Sequence, residues 1–193
     1  MDVFEAIEGR RSVRKYSDDE VNPDDLERIL EAGRMAPSWV NFQVWEIVIV
    51  RDPETKAKLA KTLPDSNPAR KGIEQAPLVL VACGRKGESG YRKGLPTTVL
   101  DDWLMFDVAL FLHNVSLAAH ALGYGTVHVG LFDQNAAAEI VGVPANVQVV
   151  ELMPIGRPAG PPKKMPRRRA VAEFVHAERY GQPPNGNPLD RSE

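Results

Sequence analysis

The segment from Val99 to Leu122 restricts this chain more than any other. It is the most apolar stretch of the 193 residues, yet Asp101, Asp102, Asp107, His113, Asn114 and His120 lie within it. A membrane span would have to carry most of those groups into hydrocarbon at a cost of several kcal/mol. The segment is therefore expected to be a core helix, over 97–122. Being apolar on nearly every face, it must be covered on all sides, either by its own domain or by a second subunit.

Other elements arrange themselves around that helix. "DVFEAIEGR" reads as a short helix with Val3, Phe4 and Ile7 on one side. "NPDDLERILEAG" carries its own start signals: Asn22 can cap, Pro23 suits the first helical position, and Asp24 and Asp25 favour the positive dipole end. Gly33 is the expected stop. "VWEIVIV" and "PLVLVAC" are β-branched runs and read as buried strands. "YGTVHVG", 124–130, is expected to be a third strand and "VQVVELMPIG" a fourth. "DPETKAKLAKTL" and "DQNAAAEIVG" read as helices opened by Asp52 with Pro53 and by Asp133. "PAGPPKKMPRRR" is a Pro-rich basic connector, and "AVAEFVHAERYG" is expected to hold a last strand. No repeat is present, and strands and helices alternate irregularly. The expected architecture is α+β, a central mixed, mainly antiparallel sheet flanked by helices. Residues 1–181 form one domain and 182–193 a loose C-terminal tail.

A net charge of −2 provides no global attraction to nucleic acid or to an anionic membrane. Cys83 is the single cysteine, so no internal disulfide can form, and a reducing cytoplasm is the expected compartment. The four histidines show neither HxxxH nor HExxH spacing, and no metal site is expected.

The basic residues are local. "GRRSVRKYS" puts Arg10, Arg11, Arg14 and Lys15 into six positions. In an extended chain Arg10, Ser12 and Arg14 project together, and two guanidiniums flanking a hydroxyl suit a phosphate. Taken alone, the run also reads as a solvated charge cluster at a helix end. In "PSWVNFQVW", Pro37 stops the preceding helix, and Ser38, Asn41 and Gln43 are short polar groups leading into a buried strand. Extended, Asn41 and Gln43 share a face, with Trp39 and Trp45. Amides match the C=O and N–H edge of a flat heterocycle. "GYGTVHVG" has two glycines but lacks the dinucleotide fingerprint. Gly130 could expose a backbone N–H there, and His128 is the nearby titratable side chain, expected to pack or to lie on the surface. "KKMPRRR", 163–169, is a second cation cluster, with Arg167 and Arg169 on one face.

In order and spacing, "RRSVR", "APSWVNFQVW", "NVSLAAHALGYGTVHVG", "MPIGRP" and "AVAEFVHAERYG" resemble the nitroreductase family of FMN-dependent oxidoreductases, over roughly residues 4–181. The resemblance implies a homodimer with its long helix at the interface and two FMN sites built there from both chains. It assigns Arg10, Ser12, Arg167 and Arg169 to the FMN phosphate, with Arg11 in the same stretch. It assigns Arg14 to the pyrimidine edge of the flavin. Pro37, Ser38, Asn41 and Gln43 line the flavin from the other subunit, while Val129, Gly130 and Leu131 form the turn facing flavin N5. Asn67 or Lys71 is the candidate for the ribityl chain. His128 and Val129 stand where a Glu-Gly or Ile-Gly pair is common in relatives.

The implied activity takes electrons from NADH or NADPH through FMN to a flat electron-poor small molecule, a nitroaromatic or quinone, in a ping-pong cycle. No side chain is assigned as an obligatory acid; Arg14 and Gly130 tune the flavin. Three other readings stay open: a reductive dehalogenase-like or flavin-fragmenting enzyme, an FMN-binding sensor or store without turnover, and a nucleic-acid binder using both Arg clusters. The acidic net charge and the lack of interleaved aromatics oppose the last.

Overall fold

The structure is a computed structural model that describes residues 1–161 and 164–182. Its contacts divide the chain into two compact units, Met1–Pro162 and Lys163–Glu193.

The first unit holds the sheet. β1 (Trp45–Val50), β2 (Leu78–Arg85), β5 (Gly125–Thr126) and β6 (Val147–Gly156) lie in the order β1-β2-β6-β5, with every neighbouring pair antiparallel. β3 (Tyr91–Arg92) and β4 (Leu95–Pro96) form a separate small hairpin. The central strand β2 explains the two-sided core. Its even residues Leu78, Leu80 and Ala82 face one layer, and its odd residues Val79, Val81 and Cys83 face the other, all fully buried.

The first layer is built by α2 (Pro23–Arg34) and α5 (Leu104–Ala121), whose Leu26, Ile29, Val108, Phe111, Leu112 and Val115 join that cluster. The second is built by α3 (Pro53–Lys61), α4 (Arg70–Gln75) and α6 (Gln134–Val141). α1 (Val3–Gly9) packs against α5. The expected caps form: Asn22 Oδ1 accepts from the Asp24 and Asp25 N–H groups, Asp52 from Thr55 and Asp133 from Ala136.

Four expectations need correction. α2 runs through Gly33 to Arg34, because the missing side chain there serves packing. A Cβ on Gly33 would stand 2.8 Å from Phe111 and Val115. α5 starts at Leu104 rather than at 97, because residues 85–103 turn through the hairpin. Asp102 anchors that turn, accepting from the Gly87 and Leu104 N–H groups. Residues 124–130 pair as a strand only at Gly125–Thr126, with a single further bridge from Val129 to Leu152. In the second unit, 171–182 carries a 3₁₀ turn, Val171–Glu173, and no strand among the described residues. Of the expected tail, residues 183–193 lie outside the described residues.

α5 is long and apolar enough to cross a membrane by composition. Its buried face nevertheless includes Asp107 and Ser116, packed with Leu104, Val108, Phe111, Leu112, Val115 and Ala119 into the core. It is a core helix with one flank uncovered. Met105, Phe106, Ala109 and His113 are exposed along that flank, and Phe106 is 53% accessible. The apolar side of α1 is uncovered too: Val3, Phe4 and Ile7 face out, Phe4 at 73%.

Candidate functional site

After α1 the chain passes the C-terminal end of α5. A Cβ on Gly9 would come within 2.5 Å of His120 Nε2, which places Arg10 beside that end. Residues 12–17 then run along the sheet edge. Ser12 bridges Thr126 in parallel, the Val13 N–H donates to Thr126 O at 2.9 Å, and the Ser17 N–H donates to Arg157 O at 2.9 Å. Edge pairing keeps the stretch extended, so Val13 and Ser12 point to opposite sides. Val13 packs over Gly125, where a Cβ would sit 2.5 Å from it. Gly123 takes a left-handed φ of 82° as α5 ends. The glycine pair of the 123–125 motif therefore serves the turn and the fit of Val13, not a phosphate.

Arg10, Arg11, Ser12 and Arg14 are all half-buried. Arg11 donates back to Glu8 O and Arg10 O, closing the end of α1. Arg14 has no carboxylate within ion-pair distance among the described residues. Its carbonyl lies against α4: a Cβ on Gly72 would meet Arg14 O at 2.9 Å. Lys71 is the neighbour on α4, exposed. Asn67, just before α4, donates to Leu131 O at 3.1 Å and accepts from the Ala69 N–H at 2.9 Å. Its amide N–H thereby holds the 130–131 turn, and its oxygen caps the approach to α4 at Ala69. α4, which the sequence reading left unassigned, links the Arg14 stretch to that turn.

At the turn, Val129 is buried and exchanges two backbone hydrogen bonds with Leu152, both 3.1 Å. Gly130 and Leu131 are exposed. Gly130 has no left-handed φ, so its backbone does not demand glycine. A Cβ there would meet nothing within 4 Å. What glycine supplies is open approach to the main chain.

The second group of expected residues sits elsewhere. Residues 39–41 form a 3₁₀ turn rather than an extended run, so period-two alternation does not apply to Asn41, Gln43 and the tryptophans. Val40, Asn41 and Gln43 have φ of 45°, 60° and 49°, a region that costs an L-residue about 1–2 kcal/mol. Two anchors hold them there. The Gln43 N–H donates to Ser38 Oγ at 2.9 Å, and the Trp39 N–H donates to Asp107 Oδ1 at 3.0 Å. Asp107 Oδ2 accepts from Ser89 Oγ at 2.8 Å, and both side chains are fully buried. Asn41 and Gln43 still meet, Gln43 Nε2 donating to Asn41 Oδ1 at 3.2 Å. Pro37, Asn41 and Gln43 are exposed and Ser38 is half-buried.

These two groups lie at opposite ends of α5. Asp107 holds the 38–43 turn, and His120 lies beside Arg10. At 1.5 Å rise per residue they are about 20 Å apart along the helix axis. One chain does not bring both groups onto one small ligand.

Arg167 and Arg169 belong to the second unit and are exposed. Arg169 pairs there with Glu173 and lies 5.8 Å from the Phe174 ring centre. Lys163 lies outside the described residues.

The donors suit the cofactor that the resemblance implies. Guanidiniums and a hydroxyl stand on one extended edge, main chain is open at Gly130, and Thr126 Oγ1, beside Ser12, is buried with no hydrogen-bond partner among the described residues. The electrostatics agree. Burial first, then the charges of His128 and Arg10 for His113 and of Arg10 and Arg11 for His120, hold both rings below the ordinary imidazole range. Sequence reasoning missed the Asp107 anchor and a contact between His128 and Glu151. Glu151 was visible as the lone charge inside an apolar strand.

The chain is similar to known proteins along most of its length. The family described as "Nitroreductase family" matches residues 7–71 and 63–157. A protein of Methanothermobacter thermautotrophicus, provisionally named an NADH dehydrogenase/NAD(P)H nitroreductase, is 32% identical over 166 residues, covering 84% of this chain and 80% of its own. The FMN reductase [NAD(P)H] of Bacillus subtilis is 30% identical over 190 residues, covering 93% of this chain and 74% of its own. The solved structure of a nitroreductase family protein from Clostridium difficile superposes with a TM-score of 0.80 at 25% identity, over 93% of this chain and 99% of that one.

Proposed function

This chain belongs to the nitroreductase family, and from that premise we propose that it is an NAD(P)H-dependent flavin oxidoreductase whose FMN is held between two copies of the chain. Electrons come from NADH or NADPH and go to a flat electron-poor acceptor, a nitroaromatic or a quinone, which takes the donor's place in a ping-pong cycle.

The observation that carries this reading is the extended edge bearing Arg10, Ser12 and Arg14, tied through α4 to the open main chain at Gly130. FMN supplies, when bound, the capacity to accept a hydride from a nicotinamide and deliver it onward. The chain does the rest. Arg10 and Ser12 bind the phosphate by charge and a short hydroxyl bond. Arg14 offers a fixed positive charge to the pyrimidine edge, where negative charge collects on reduction. The Gly130 N–H and Leu131 would border N5. Lys71 is favoured over Asn67 for the ribityl hydroxyls, because Asn67 is already committed to Leu131 and Ala69.

The second copy follows from the helix length. Ser38, Asn41 and Gln43 stand about 20 Å from Arg10, at the other end of α5. Two copies packed through the bare flank of α5 and the apolar side of α1, running antiparallel, bring the 38–43 turn of one to the Arg10 edge of the other. That packing also covers Phe4 and Phe106.

The test is anaerobic mixing of the purified protein with FMN and then with NADH or NADPH, followed at the flavin absorbance. Bleaching by either nucleotide supports the reading. A flavin that stays oxidised with both refutes hydride transfer and leaves an FMN-binding protein without turnover.

A further inference from the structure

His128 lies two residues before Gly130, within the candidate site. Val127 and Val129 are buried in the α3–α4–α6 layer, so His128 projects from the other side of the segment. Its ring is 39% exposed, and Nδ1 lies 2.6 Å from Glu151 Oε1, a carboxylate only 15% exposed. A carboxylate can only accept, so Nδ1 carries the proton and Nε2 is the free end, without a protein partner among the described residues. Glu151 sits on β6 opposite Ala82, whose side chain belongs to the α5 side of the sheet. Among the described residues, His113 on α5 is the other titratable group that acts with the His128 ring. Burial and then the charges of His128 and Arg10 hold His113 below the ordinary imidazole range, so His113 lies within electrostatic reach of both. The pair is thus a positioned imidazole backed by a carboxylate, partly exposed and two residues from the open turn at Gly130.

We propose that His128, oriented by Glu151, is the proton donor to the acceptor, an assignment that rests on the FMN reading above. Reduction of a quinone to its hydroquinone takes two electrons and two protons. One proton and both electrons arrive together as the hydride that originates from NAD(P)H. Nε2–H of the His128 imidazolium gives the second proton to the quinone oxygen, and the ring takes one back from water. Glu151 remains a carboxylate throughout and holds the ring in place.

The experiment compares wild type with His128→Asn and Glu151→Gln in three measurements. FMN affinity and the rate of reduction by NADH are expected to stay within about twofold of wild type. Re-oxidation of the reduced protein by 1,4-benzoquinone, followed anaerobically by stopped flow, is expected to slow at least about tenfold in His128→Asn. In wild type that rate is expected to carry a solvent deuterium isotope effect, since the donated proton exchanges with water; in His128→Asn the effect is expected to shrink. In the FMN-free protein, ¹⁵N spectra of His128 are expected to show the proton on Nδ1, a preference lost in Glu151→Gln. A quinone rate within about twofold of wild type in His128→Asn, or equal slowing of both half-reactions, overturns the assignment to His128 while the FMN reading stands. A wild-type protein that takes up no FMN overturns both.

Discussion

Asp107 anchors the turn that would complete the partner's site, and truncating it tests that role. In Asp107→Ala two donors lose their acceptor. Ser89 Oγ is fully buried, and stranding it costs about 2–3 kcal/mol. The Trp39 N–H is half-buried and costs about 1–2 kcal/mol. The expected loss is about 3–5 kcal/mol, the lower end reflecting relief of the carboxylate's own desolvation. For a domain of this size that is a fall in Tm of about 8–15 °C. Asp107→Asn should lose only about 1–2 kcal/mol, because its amide oxygen can accept from Trp39 and its amide N–H can donate to Ser89. The turn itself should respond. The backbone around Val40 and Asn41 should loosen locally once the anchor is gone, while Ser38 still holds Gln43. The near-UV dichroism of the Trp39–Trp103 pair, 5.2 Å between ring centres, should weaken, and FMN affinity should drop by about tenfold or more. Urea unfolding at one fixed protein concentration measures the stability change, since the proposed pairing would make stability concentration-dependent. An alanine variant within about 1 kcal/mol of wild type, or an asparagine variant as damaged as alanine, would refute the anchoring role.

Other changes have equally definite outcomes. Ala109→Arg puts a charge on the exposed flank of α5; light scattering should show a monomer, and FMN affinity should fall with it. Gly33→Ala gains about 1 kcal/mol of helix propensity but forces a methyl to within 2.8 Å of Phe111 and Val115, so urea unfolding should show a net loss of about 1–2 kcal/mol. Burial pushes the Cys83 thiol up to about 11, with Glu46 adding to it, so iodoacetamide at pH 8 should label the unfolded chain and leave the folded one untouched. His113 and His120 have folded pKa values below their unfolded ones, so the folded state binds fewer protons. Their contribution to stability is complete above about pH 6.5 and is lost as the pH falls through the folded titration. In the FMN-free protein the urea midpoint should drop between pH 7 and 5, and less so in the His113→Gln/His120→Gln double variant.

Much of the architecture was legible because local and long-range signals agree. Asn22–Pro23, Asp52–Pro53 and Asp133 start helices by side-chain capping that needs no tertiary context. The β-branched runs at 45–50 and 78–83 admit no other buried form. Where the reading failed, a tertiary contact overrode a local rule. Gly33 is a sound stop signal by propensity, but here it is a slot for Phe111. Residues 97–103 have helical apolar content, but Asp102 spends its carboxylate on Gly87 and Leu104. The polar residues of 38–43 were identified as a group by their chemistry. Their left-handed backbone depends on Asp107, far along the chain, which no periodicity displays. The His128–Glu151 contact likewise needs the β5–β6 pairing to exist before it can be seen.

If two copies build each centre as proposed, a helix with half of a site at each of its ends has a genetic consequence. Take two inactive variants, one altered at Arg14 and the other at Ser38, and let them exchange partners. A mixed pair then concentrates both lesions in one centre and leaves the other whole, so random mixing of two dead proteins should restore about a quarter of the centres. Neither variant alone, at any concentration, should recover any.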